Sequence, residues 1–392
     1  MRILLVTGKG GVGKTTVAAA TAAHAASRGL RTIVVSTDPA HSLSDAFDAP
    51  ISDSVTVLGP RLFAQQLDAR LRFEQAWSEI REYFVQVLGW AGADSIEAEE
   101  LAVIPGLDEV FALADLKAHA TNPDYDLIVV DCAPTAETIR LLSLPDVMSW
   151  YMDKAFGPSR RIAKISRPVI SRISKLPIAS DNFFSAIERF YSRIDGVREV
   201  LTDGSNCSAR LVVNAERMVV AEARRTFTYL SLFGYHVDAV VANKLLPESV
   251  SDEFFASWRQ SQSTQLEQIE TAFSPLPILH AELARSEVIG LESLGEFGSS
   301  LYGALDPASR LADIQPMHLE SAGEKTVLSV HLPFSERAEI ELARVDQELL
   351  VAVGPHRRSV ALPDSLRGSE VASARLIDGR LHLEFTRVGD NR

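Results

Sequence analysis

Residues 2–16, RILLVTGKGGVGKTT, constrain this chain more than any other stretch. Arg2 to Thr7 is a short apolar run fit for a buried parallel strand. It ends in a glycine-rich turn, and from Thr15 the sequence reads as an alanine-rich helix closed by Gly29. Strand, glycine turn, Gly-Lys-Thr and helix in that order make the phosphate-binding loop Gly8-x-x-x-x-Gly13-Lys14-Thr15. Glycine is needed because a Cβ would hold the backbone N–H groups away from phosphate. The helix N-terminus adds partial positive charge. Gly8, Lys9, Gly10, Gly11, Val12, Gly13, Lys14, Thr15 and Thr16 are therefore the first candidate nucleotide-binding set. Lys14 is expected to reach the β- and γ-phosphates of ATP, and the Thr15 hydroxyl to ligate Mg²⁺.

Lys9 narrows the class. A lysine inside the loop would repel Lys14 unless phosphate lay between them. The string Lys9-Gly10-Gly11-Val12-Gly13-Lys14-Thr15-Thr16 resembles the deviant phosphate loop of the family that contains the arsenite-pump ATPases and the tail-anchored-protein targeting ATPases. In that family the extra lysine crosses a dimer interface to the partner's nucleotide. The resemblance therefore implies a homodimer across Lys9, with Lys9 acting in catalysis.

Arg31 to Ser36 reads as a second strand, giving a strand–helix–strand unit of a parallel sheet. Asp38 follows at the sheet's carboxyl edge, where ligands bind, and could orient the water that attacks the γ-phosphate. By itself Asp38-Pro39 is also a common turn starter. The longer string from Ser36 to Asp45, STDPAHSLSD, resembles the family's first switch and implies that Asp38 is the catalytic carboxylate, close to Mg²⁺. Asp126 to Asp131 is a buried strand with an acidic end, and Asp131 can hold the water shell of Mg²⁺. Residues 131–142, DCAPTAETIRLL, resemble the second switch, with Ala133, Pro134 and Thr135 as its core. Two positions depart from that pattern: Ala136 stands for glycine and Glu137 for histidine.

Two stretches, about 69–121 and 145–205, read as helical insertions. In the first, Phe73, Trp77, Ile80, Phe84 and Val87 recur at helical spacing, and Pro105-Gly106-Leu107-Asp108-Glu109 breaks one helix and starts another. In the second, Arg160, Arg161, Lys164, Arg167, Arg172 and Lys175 form a basic run, with no acid between Gly157 and Ser180. It reads either as a solvated cationic face or as a membrane-surface contact through 157–180. An aromatic-rich helical stripe follows from Phe183 to Val197. The position matches the helical subdomain that forms the client groove of the targeting ATPases. Only Met148 and Met152 supply the adaptable side chains such a groove uses. A hydrophobic or membrane-protein client is the partner this resemblance suggests.

The sheet is expected to resume at Ala209 to Val213 and at Asp238 to Lys244, with a long helix, Val219 to Phe233, between them. Asn243-Lys244-x-x-Pro247 resembles the family's adenine-recognition segment, and Glu216 matches a nucleotide-contacting glutamate. A further strand is expected at Pro275 to Ile278, with Pro277 on the adenine side, then a helical closing stretch from Glu282 to Glu287. Zinc-clamped relatives carry C-x-x-C after the Asn243 segment, and arsenite-binding ones assemble three thiolates. This chain has only Cys132 and Cys207, so no zinc is expected and an anion-pump role is disfavoured.

Composition adds bounds. The net charge of −13 argues against a nucleic-acid partner. Two separated cysteines suit a reducing cytosol, and the first apolar run is too short for a signal peptide. The expected location is cytoplasmic.

Residues 306–323 are rich in Pro, Ser, Ala and Gly and read as a linker. From 324 to 392 the period changes to two, with short strands and an Asp378-Gly379 hairpin turn. Such strands make a small β-sandwich, and Leu362-Pro363 with Ala374-x-x-x-Asp378-Gly379-x-Leu381 resembles the small heat-shock (α-crystallin) core. The expected architecture is α/β: a P-loop NTPase over 1–305 with a mostly parallel sheet and a helical subdomain, plus a small all-β C-terminal sandwich. The expected activity is a Mg²⁺-dependent ATPase that opens and closes around a hydrophobic client. A pump subunit and a low-turnover nucleotide-gated binding module are the alternatives.

Overall fold

The structure, a computed structural model, describes residues 1–38, 42–67, 107–133, 192, 196–322, 325–345, 348–362, 366 and 369–387. The stripe at 73–88, Pro105-Gly106, Pro134 to Leu142, Met148, Met152, the basic run and the aromatic stripe up to Tyr191 lie outside the described residues. The chain divides into two units, 1–66 with 123–139 and 200–392, and 67–122 with 140–199.

The first unit holds β1 (Arg2–Thr7), α1 (Lys14–Ser27), β2 (Thr32–Ser36), α2 (Ser42–Phe47), β3 (Thr56–Gly59) and β4 (Leu62–Gln66). Helix α3 (Leu107–Thr121) belongs to the second unit. Then come β5 (Leu127–Asp131), α4 (Val197–Thr202), β6 (Cys207–Asn214), α5 (Arg217–Phe233), β7 (Val237–Leu245), α6 (Ala256–Phe273), β8 (Ile278–Glu282) and α7 (Gly290–Tyr302). Strands β1 to β8 form one sheet in the order β3-β4-β2-β5-β1-β6-β7-β8, parallel except where β3 meets β4. Central strands of such a sheet are covered on both faces, which is why β1, β2 and β5 are apolar runs without alternation.

Helix α1 is alanine-rich because its surroundings leave no room for more: Ala18, Ala19, Ala20, Ala22 and Ala25 are fully buried. Gly298 of α7 lies so close that a Cβ there would stand 2.5 Å from the Ala20 carbonyl oxygen. One expectation is corrected here. The strand after Phe273 starts only at Ile278, after Pro275 and Pro277, which have no N–H to give a ladder, and it extends through Glu282. Residues 283–289 are not helical, and the helix begins at Gly290.

The C-terminal strands are β9 (Met317–Ala322), β10 (Lys325–His331), β11 (Ile340–Val345), β12 (Glu348–Val353), β13 (His356–Ala361), β14 (Ser369–Ile377) and β15 (Arg380–Arg387). They form two antiparallel sheets, β14-β15-β10-β9 and β11-β12-β13. The β14–β15 turn has Asp378 at φ 50° and Gly379 at φ 69°, the two positive values a tight hairpin requires. Val330, Leu332, Leu349, Val351, Leu383 and Phe385 fill the space between the sheets.

Two findings change the picture of a module on a linker. Met317–Ala322 pairs antiparallel with β10 as a strand of the module. The segment before it is pinned: the guanidinium of Arg210 donates to the carbonyls of Pro307 and Ser309, each at 3.0 Å. Arg210 is itself buried against Asp238 at 3.1 Å, and Arg2 reaches the same carboxylate at 3.2 Å. The module then packs on α5. Leu232 joins its core, Tyr229 lies 4.1 Å from the ring of His356, and Arg358 donates to the Leu232 carbonyl.

Candidate nucleotide-binding site

Strand β5 lies between β1 and β2, and the register pairs Asp131 with Val6 on one side and Ser36 on the other. The topology thus sets Asp131 at the floor between the glycine loop and Thr37-Asp38. On the far side of β1, β6 ends at Asn214, whose register partner on β7 is Asn243, two residues before that strand ends.

The loop glycines divide by what surrounds them. A Cβ on Gly8 would meet the Val212 carbonyl oxygen at 2.3 Å, and one on Gly13, at φ 96°, would meet the Asn243 amide nitrogen at 2.4 Å. Around Gly10 and Gly11 nothing lies within 4 Å of such a Cβ. The outer pair is thus forced by packing, whereas the inner pair borders open space that a ligand could occupy. Val12 is buried and anchors the loop between them. Lys14 is buried, and its ammonium donates to the Lys9 carbonyl at 3.3 Å, arching the side chain across the loop. Thr16 follows in the first turn of α1.

The Thr15 hydroxyl donates to Asp131 Oδ2 at 2.8 Å and lies 3.0 Å from the Ser42 hydroxyl; Ser36 reaches the same Oδ2 at 3.4 Å. The other carboxylate oxygen, Oδ1, is buried and has no hydrogen-bond partner in the structure. Burial raises the Asp131 carboxyl to about 7, against the opposing pull of the Thr15 hydrogen bond and the Lys14 charge. A buried oxygen without a partner is costly. Hydroxyls and carboxylates are the ligands hard divalent cations prefer, so this donor set fits Mg²⁺. Asp38 lies on the neighbouring loop, with its N–H on the Ser36 hydroxyl at 3.2 Å, near enough for its charge to act on Asp131. Ala133 is buried just beyond; Pro134 and Thr135 lie outside the described residues.

Lys9 is partly exposed, and its ammonium sits 3.6 Å from Glu222 Oε2 on α5. Glu216 is exposed at the N-cap position of α5, at the same sheet edge. Asn243 is turned to the loop: its amide donates to the Val12 carbonyl at 2.8 Å and its oxygen accepts from Lys244 N–H at 2.9 Å. Pro277 is not brought to this edge. It stands at the entry of β8, its carbonyl accepting from Val240 N–H at 3.0 Å. The adenine-side expectation has a cavity nearby: about 390 Å³ at the carboxyl end of β8, lined by Pro247, Ala281, Leu283, Arg285, Phe297 and Leu301 among others.

The sequence gives no sign of Ser42 as a site residue, because the serine at the seventh position of STDPAHSLSD reads as a helix start rather than a ligand. Asn214 has a buried amide oxygen without a partner in the structure at the same edge; only its pairing with Asn243 across two strands reveals it. Burial raises both cysteine thiols, Cys132 and Cys207, so Cys132, next to Asp131, is a packed neighbour rather than a nucleophile.

Comparison with known proteins matches this arrangement. The family model described as anion-transporting ATPase covers residues 1–303, and that of an HSP20-like domain found in ArsA covers 323–385. A putative arsenical pump-driving ATPase of Chlorobaculum tepidum is 36% identical over 388 residues, 98% of this chain and 96% of that one. One from Aquifex aeolicus is 36% identical over 386 residues, 96% and 98% of the two chains. The ATPase GET3B of Arabidopsis thaliana is 32% identical over 325 residues, 75% and 77% of the two. With its glycine loop, the carboxylate at the end of β5 and matches of this extent, the chain belongs to the anion-transporting (ArsA) ATPase family, hydrolyses ATP, and carries the HSP20-like domain of that family.

Proposed function

We propose that the chain works as a Mg²⁺-dependent homodimer whose nucleotide cycle opens and closes it around a hydrophobic or membrane-protein client in the cytoplasm. The observation that carries this reading is the placement of Lys9. Its ammonium stands outside the loop that Lys14 already crosses, paired with Glu222 rather than aimed at the chain's own phosphate space. A cation so placed is available to a facing site. Met218 in the first turn of α5, Phe254 in the 3-10 turn before α6 and Trp258 in the first turn of α6, exposed to 74%, 73% and 59%, lie at the same sheet edge and would be covered by a second copy.

In this reading Asp38 orients and accepts a proton from the attacking water, and Lys9 and Lys14 stabilise charge as it develops on the γ-phosphate. Thr15 and Asp131, with Asp38 near by, would hold Mg²⁺, partly through water. The ion supplies neutralisation of the β- and γ-phosphate oxygens when bound. Glu216 and Asn243 lie on the base side. The client reading rests on the helical insertions and their likeness to the targeting ATPases; no described helix is long and apolar enough to cross a membrane.

The test is ATP turnover together with mass by light scattering, for wild type, Lys9→Ala and Asp38→Asn with Mg-ATP. Turnover lost in both variants, with a nucleotide-dependent dimer weakened only by Lys9→Ala, is the expected result. Full turnover in Lys9→Ala, or a monomer under all conditions, would refute the two-site dimer.

A further inference from the structure

Two successive residues at the end of β7 grip two successive carbonyls of the glycine loop. Asn243 donates to Val12 O at 2.8 Å, and the Lys244 ammonium donates to Gly11 O at 2.8 Å. Lys244 can do this because its backbone adopts φ 58°, the left-handed region that a lysine rarely enters. Such a conformation persists only when its surroundings impose it. Here they do so from both sides. The Asn243 side-chain oxygen accepts from Lys244 N–H at 2.9 Å. From α6, the Gln262 amide donates to Lys244 O at 3.2 Å and accepts from Leu246 N–H at 2.7 Å. Gly13 has to be glycine at this point, since a Cβ would collide with the Asn243 amide.

We propose that Lys244, held in place by Asn243 and Gln262, is a positioning residue for the phosphate loop. It acts on triphosphate affinity rather than on recognition of the base. The peptides whose carbonyls are held, Gly11–Val12 and Val12–Gly13, carry the N–H groups of Val12 and Gly13, and those groups can cradle phosphate only if the peptide planes stay oriented. A carbonyl engaged on the outer side fixes the plane of the following peptide, and so the direction of its N–H. The Lys244 bond is charge-assisted, the stronger kind, and its ammonium adds a third positive charge to a loop that already holds Lys9 and Lys14. A triphosphate would offset their mutual repulsion. The signal in the sequence was Asn243-Lys244 itself, but its partners are 231 and 233 residues away in the chain.

The proposal rests on reading residues 8–15 as the phosphate site, and the experiment separates the two. Binding of Mg-ATP, displacement of ATP by inorganic tripolyphosphate, and steady-state turnover are measured on the full chain as wild type, Lys244→Met, Lys244→Arg and Gln262→Ala. Thermal melting checks that each variant is folded. Lys244→Met is expected to weaken ATP and tripolyphosphate by the same factor, about 3- to 10-fold for a charge-assisted hydrogen bond with an exposed head. KM should rise accordingly while kcat changes by less than about twofold. Lys244→Arg should recover most of the loss. Gln262→Ala, which touches neither loop nor ligand, should shift both ligands in the same direction by a smaller factor. A loss confined to ATP would assign Lys244 to the base and overturn the proposal. Unchanged affinities, or tripolyphosphate that fails to displace ATP from wild type, would overturn it equally. If Lys14→Ala leaves tripolyphosphate binding intact, the loop reading itself fails, whatever Lys244 does.

Discussion

His331 ends β10 at the surface where the C-terminal module meets α5, and its charge state should set how firmly the module is held. Its ring lies edge-on to Phe227 at 5.3 Å, its Nδ1 is 3.4 Å from the Ser231 hydroxyl, and Arg380 is its partner across the ladder. Burial first, and the Arg380 charge second, lower the imidazole from 6.5 to about 4. The unfolded chain therefore takes up this proton before the folded one does. Stability from the neutral ring is fully present above pH 6.5, declines as pH falls, and is lost below about 4. Each tenfold is worth 1.36 kcal/mol, so the full effect is about 3 kcal/mol, of which about 2 kcal/mol is gone by pH 5. The assay is urea unfolding of wild type and His331→Gln at pH 7.5 and 5.0, followed by tryptophan fluorescence and circular dichroism. Wild type should lose about 2 kcal/mol more than the variant over that interval. Direct titration of a ¹³C-labelled His331 ring by NMR should place its midpoint near 4. A midpoint near 6.5, or the same pH dependence in both proteins, would show that the ring is not buried on α5 and refute the docking argument.

Gly13→Ala should abolish ATP binding while leaving the fold, since the new Cβ would stand 2.4 Å from the Asn243 amide at a φ of 96°; near-normal isothermal titration calorimetry would contradict this. Asp238→Ala leaves the buried guanidiniums of Arg2 and Arg210 without their carboxylate. It should cost about 3–5 kcal/mol in chemical denaturation, and a change under 1 kcal/mol would mean the network is not buried as described. Glu222→Gln releases Lys9 from an exposed ion pair. It should alter stability by no more than about 1 kcal/mol yet tighten the ATP-dependent dimer in light scattering, whereas a weaker dimer would mean that Glu222 supports Lys9 across the interface.

Much of the nucleotide site could be read in the chain because phosphate binding is local chemistry. Six residues from Gly8 to Gly13, then Lys14 and Thr15, form strand, turn and helix N-terminus by short-range rules. Nothing distant has to be known to see that Lys14 and Thr15 share one end of α1. The strands β1, β2, β5, β6 and β7 were legible for a related reason: burial on both faces demands uninterrupted apolar runs. Tertiary structure decided what those ends meet. Asp131 lies beneath Thr15 only because β5 inserts between β1 and β2, and Asn243 reaches Val12 only because β6 and β7 continue the sheet on the other side. The hairpin of β3 and β4 had no clear signal, since Val57 faces solvent and the strands are four and five residues long. Residues 306–323 showed the composition of a linker, but composition cannot report that Arg210, almost a hundred residues earlier, holds the carbonyls of Pro307 and Ser309. The docking of the module on α5 is of the same kind. Tyr229 and Leu232 look like the ordinary apolar face of a helix, and hydrophobic burial is not directional. Periodicity can say that such a face is covered, and only the folded chain says that β-strands cover it.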